Sequence, residues 1–149
     1  MTGEPQAFEY AVLRVVPRVD RGEVMNAGIL LYCRPLRYLG ARVALDTALL
    51  LALDPEADVA GVSRALAAAA EVCGAGSGGP VASGPGASGP GASGAGPGPA
   101  GRQDIGRRFR WLTAPRSTVV QAGPVHTGLT RDPDAEIERL LQALVMRPR

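Results

Sequence analysis

The chain has 149 residues and not one lysine. That absence removes the P-loop lysine, the Schiff-base lysine and the kinase strand lysine together. Histidine occurs once, at His126, which excludes every multi-histidine metal motif. Cysteine occurs twice, at Cys33 and Cys73, without the Cys-x-x-Cys spacing of a zinc or redox site. Two such residues are too few for a disulfide scaffold, so reduced, buried thiols are expected. No Gly-x-Ser-x-Gly elbow occurs. No apolar run approaches the ~20 residues that cross a bilayer, and Met1 to Ala7 lacks the pattern of a secretion signal. The expected setting is therefore the cytoplasm, with no membrane partner. Charge of a single sign is lacking too. Sixteen basic and 14 acidic residues leave a net charge of +2, too weak a field to point to nucleic acid or anionic lipid. These absences leave no catalytic residue, metal or cofactor to assign.

Aromatic residues make up only 4% of the chain, so the core must be aliphatic. Phe8 to Pro17 mixes aromatic and β-branched residues and reads as a strand stopped by Pro17. Arg18 to Glu23 is a polar turn around Gly22. Val24 to Cys33 is a second strand, whose run Ile29 to Cys33 suggests burial on both faces. Arg34 to Arg37 turns the chain. Leu39, Ala41, Val43 and Leu45 then alternate with less apolar residues, the pattern of a third strand with one buried face. Asp54-Pro55 and Asp132-Pro133 each place an acidic N-cap before a proline, the start signal of a helix. After Asp54 the stripe runs Val59, Val62, Leu66, Ala69, Cys73, with Gly74 as the stop. After Asp132 it runs Ile137, Leu140, Leu141, Leu144, Val145. Asp46 to Leu53 forms a shorter helix, and Ser117 to Gln121 a fourth strand. The expected fold is α+β: a small, mostly antiparallel sheet of about four strands with the two main helices on one face.

Between Gly74 and Gly101 the composition changes abruptly. Ala-Ser-Gly-Pro-Gly repeats at Ala82 to Gly86 and Ala87 to Gly91, and Ala-Ser-Gly-Ala-Gly follows at Ala92 to Gly96. A period of five excludes the three-residue frame of collagen. With no charge and one valine, the segment cannot offset the ~1 to 2 kcal/mol per residue lost on ordering a backbone. It is expected to be a disordered insert. Arg102 to Arg149 is too poor in elements for a separate core, so residues 1–149 are read as a single domain interrupted by this loop. Gly74, Gly76 and Gly79 satisfy Gly-x-Gly-x-x-Gly formally, but they follow a helix and open a repeat, the wrong context for a dinucleotide.

Two polar loops remain as candidate contact sites. In the first, Arg21, Glu23 and Asn26 surround Gly22 where the first strand reverses; they either satisfy the turn itself or form a carboxylate or anion pocket. In the second, Arg116, His126 and Thr130 lead into the start of the last helix, where a phosphate-sized anion could bind. The alternative for His126 is a structural hydrogen bond. Arg107, Arg108 and Arg110 alternate with Phe109 and Trp111. This resembles a nucleic-acid stacking surface, but a core poor in large side chains calls for both aromatics as anchors with the arginines facing water.

Tyr10 to Pro17, Arg21 to Glu23 and Asn26 to Tyr32, with Phe109 to Leu112, Ser117 to Val120 and Pro124 to Pro133, resemble the bacterial family grouped as domain of unknown function 3037. The resemblance covers nearly the whole chain outside the insert. It implies a companion of a kinase-like protein of toxin modules, and hence a protein partner. The function expected is a non-enzymatic bacterial accessory or protein-interaction domain; the alternative is a small enzyme or ligand-binding module for an anionic molecule.

Overall fold

A computed structural model describes residues 3–74, 105–114 and 118–146. In chain order the elements are β1 (Gln6–Val15), β2 (Met25–Cys33), β3 (Tyr38–Val43), α1 (Thr47–Leu53), α2 (Val59–Gly74), α3 (Ile105–Thr113), β4 (Val120–Ala122), β5 (His126–Thr130) and α4 (Pro133–Leu144). The strands form one antiparallel sheet in the order β3-β2-β1-β4, with β5 also paired to β1. The ten residues of β1 serve two short strands on the same side. β5 covers Gln6–Tyr10 and β4 covers Leu13–Val15, so β4 and β5 together make one edge. The α+β class and the antiparallel sheet stand as expected from the sequence.

The helices occupy both faces rather than one. Leu30 and Tyr32 of β2 join Leu13, Val15, Leu39 and Ala41 against α1, α2 and α3. Ile29, Leu31 and Cys33 join Phe8 and Tyr38 against Ile137, Leu140 and Leu141 of α4. Successive residues of a strand face opposite ways, so the unbroken apolar run of β2 demands cover on both sides. Tyr38 and Gly40 of β3 are buried along with Leu39 and Ala41, which corrects the reading of one buried face.

Asp132 caps α4 as its sequence signal requires, accepting the Ala135 N–H at 3.3 Å, with Pro133 in the first turn. The matching signal at Asp54-Pro55 does not start α2. The Asp54 N–H still donates to the Leu50 carbonyl, so Asp54 closes α1, and its carboxylate accepts the Glu56 N–H in the turn that follows. The cap of α2 is Asp58, which accepts the Gly61 N–H at 3.0 Å. α3 and β5 were not expected. In α3, Phe109 is buried while Trp111 is 59% exposed, so only one of the two aromatics is a core anchor. Two positions along a helix turn the side chain through about 200°, and a single face cannot hold both. The fourth strand spans Val120–Ala122, with Ser117 outside the described residues. So does the insert from residue 75 onward; Gly74 ends α2.

Candidate functional site

The hairpin between β1 and β2 is built by backbone turns. The Arg18 carbonyl accepts the N–H groups of Arg21 and Gly22, and Gly22 takes φ +72°, a left-handed value that suits glycine. Two ion pairs follow from the spacing within this loop: Arg18 with Asp20 at 3.0 Å and Arg21 with Glu23 at 2.7 Å. Both are solvent-facing. The hydrogen bond from Arg18 holds the Asp20 carboxyl below its ordinary pKa, and the bond to Glu23 raises that of Arg21. Asn26 points elsewhere. Its amide donates to the Leu144 carbonyl at 2.9 Å, satisfying an acceptor that the end of α4 leaves open. The Val16 N–H donates to the Val119 carbonyl at 2.7 Å. One end of the sheet thus gathers the hairpin, the approach to β4 and the end of α4.

The same end carries Val19, Val24, Val119, Leu144 and Met146, all exposed, with Val19 at 61%. The polar pattern of the loop points to Arg21, Glu23 and Asn26 and conceals these five apolar residues, except that Val19 and Val24 flank a turn where polar residues are usual.

The second loop is arranged differently. Thr130 is buried; its hydroxyl accepts the Asp132 N–H at 3.0 Å and lies 3.1 Å from the Asp132 carbonyl, fixing the entry to α4. The first turn of α4 already holds Asp134 and Glu136, so the positive end of its dipole faces carboxylates. His126 is exposed opposite Tyr10, with ring centroids 5.3 Å apart. Arg116 lies outside the described residues. Tyr10 is five positions along β1 from Val15, the strand's hairpin end, or about 16 Å; Gln6, opposite Thr130, is nine away, about 30 Å. Arg21, His126 and Thr130 therefore do not share a pocket.

Among the described residues no three His, Cys, Asp or Glu side chains are grouped to hold a metal ion, and no helix is long and apolar enough to cross a membrane. Both cysteines are buried, and burial pushes the Cys73 thiol up to about 12 and raises that of Cys33. On α3, Arg110 makes a two-point contact with Glu9 of β1 at 2.9 and 3.0 Å, which commits that guanidinium to the fold.

A family model described as Protein of unknown function (DUF3037) matches residues 10–145. No curated protein and no solved structure matches the chain.

Proposed function

The chain belongs to the DUF3037 family of proteins of unknown function, and we propose that it is a non-enzymatic accessory domain of the bacterial cytoplasm that docks a protein partner at the hairpin end of its sheet. The observation that carries this reading is the gathering of Val19, Val24, Val119, Leu144 and Met146 at one end, beside two exposed ion pairs. Exposed apolar side chains rimmed by polar ones are the composition of a protein interface, with an apolar centre that excludes water and a wet rim. The hairpin loop itself is balanced, with Arg18 and Arg21 each paired to a carboxylate, and so gives little net attraction to a polyanion. It suits a folded partner whose contact surface is apolar and of low net charge. The resemblance to companions of kinase-like toxin-module proteins makes such a protein the first partner to try. The dispersal of Arg21, His126 and Thr130 weighs the same way, against an anionic small molecule as the ligand.

The test is paired co-purification from the native host, with tagged wild type beside Val19→Asp/Val24→Asp. Both valines are exposed, so the variant should unfold at the wild-type urea midpoint. A protein recovered by the wild type and lost from the variant supports the proposal. Identical recoveries, or none from either, overturn it.

A further inference from the structure

A second surface lies far from the hairpin end, along β5. Among the described residues its outer side pairs with no strand. Exposed edges are ordinarily blunted by a charge, a proline, a bulge or a covering element. Among the described residues β5, His-Thr-Gly-Leu-Thr, has none of these. Its register with β1 is unbroken from Gln6↔Thr130 to Tyr10↔His126. Leu129 is 68% exposed, more than any other large apolar side chain among the described residues. We infer that β5 pairs antiparallel with the β5 of a second copy, about a two-fold axis through Gly128, joining two sheets into one.

The register follows from geometry. A two-fold axis normal to the sheet keeps each face continuous, so opposed residues must share a face, and only an axis through Gly128 pairs all five residues. Thr127 then faces Leu129 of the other copy, His126 faces Thr130, and Val125 faces Arg131. Each leucine covers a threonine methyl, and this contact occurs twice by symmetry. No like charges are opposed anywhere along the pair. The two His126 rings lie four positions apart, about 13 Å, so the pairing tolerates their protonation. With no acidic or basic residue other than the imidazole from His126 to Thr130, the edge meets no charge repulsion from its own copy and offers nothing that would select a charged foreign strand. Among the described residues the opposite edge, β3, has its side chains covered by helices on both faces and carries Arg42, so β5 is the more open and less charged of the two edges.

Sedimentation velocity of the full chain over a concentration series tests this. Wild type should show a monomer–dimer equilibrium, and Leu129→Arg or Thr127→Glu should weaken it by about tenfold or more, a loss of about 1.4 kcal/mol. Combining both substitutions in one chain sets opposite charges face to face across the axis and should restore association. Circular dichroism confirms that each variant folds. Val19→Asp/Val24→Asp should dimerise as wild type does, which keeps this inference separate from the docking surface. A wild type that stays monomeric throughout, a dimer indifferent to Leu129→Arg and Thr127→Glu, or a double variant without recovery would overturn it.

Discussion

The two edges of the sheet are treated in opposite ways. At β3 the helices close over both faces: Leu39 and Ala41 lie beneath the α1–α3 layer and Tyr38 beneath α4. Arg42 there reaches toward Asp134 at 3.6 Å and Glu138 at 3.9 Å on α4. Such half-exposed pairs contribute at most about 1 kcal/mol, and they put a charge near this edge that a further strand would have to accommodate. At β5 only Thr130 is buried, and nothing charged points outward. The cause lies in the strands. β2 and β3 are apolar on both faces and draw the helices to themselves, whereas β5 presents threonine, glycine and histidine and draws none. The sheet is thus covered asymmetrically, with β3 packed on both faces and β5 largely exposed.

The comparison breaks if equal truncations at the two edges have equal effects. Leu39→Ala empties a fully buried site and should cost about 2 to 5 kcal/mol. Leu129→Ala should change monomer stability by less than about 0.5 kcal/mol. Urea unfolding of both variants, at concentrations where the chain is monomeric, reads the difference. Glycines show where the contrast stops. A Cβ on Gly28 would stand 2.7 Å from the Arg42 carbonyl of β3, a backbone atom that moves only if the strands separate. On Gly128 it would meet at 2.7 Å the ring of Phe8, which is buried against α4. Gly28→Ala and Gly128→Ala should therefore each cost about 1 to 3 kcal/mol, by the same measurement.

Much of this division was legible in the sequence. The apolar run Ile29 to Cys33 announces a strand covered twice, and that signal was stronger than the assumption of helices on one face. The Asp132-Pro133 cap and the stripe behind it needed no tertiary information. Asp54-Pro55 misled because the same two residues also end a helix and begin a turn, and the choice depends on whether the preceding turn is already helical. His-Thr-Gly-Leu-Thr reads as loop in the sequence because it has neither alternation nor bulk; pairing with β1 supplies its reason to be extended. α3 escaped because arginines interrupt its apolar face, and Arg110 becomes intelligible only when Glu9 is seen opposite. Among the candidate polar residues, hydrogen bonding within the fold absorbs Asn26 and Thr130, and no one-dimensional pattern reports that.

Raising the pH attacks the cover of the β3 edge without touching β5. Cys73, at the end of α2, stays a neutral thiol in the folded chain up to about 12, while in the unfolded chain it ionises near its ordinary 9.0. Above pH 9 the folded state holds more protons, so the stability contributed by the buried thiol is fully present below that pH and is lost as the pH rises toward 12. Each unit in this window costs roughly 1.4 kcal/mol. The destabilisation caused by Cys73→Ala should accordingly shrink between pH 8 and pH 10.5 in urea melts. A gap that stays constant would place Cys73 in a more hydrated site than its burial indicates.

The smallest effect bears on what holds the cover in place. α2 and α4 flank β3 from opposite faces, and each begins at an aspartate, Asp58 and Asp132, whose carboxylate accepts a first-turn N–H. Removing either leaves that donor without its partner and frays the turn, at about 1 kcal/mol. Hydrogen exchange locates the consequence. Asp58→Ala and Asp132→Ala should each speed exchange in the first turn of its own helix and in β3; Asp58→Ala should leave the β5 amides as they are in the wild type, whereas Asp132, whose backbone is bonded to Thr130, couples α4 to the end of β5. Equal acceleration at β5 in Asp58→Ala would mean that the two edges open together, and that the uncovered strand depends on the helices after all.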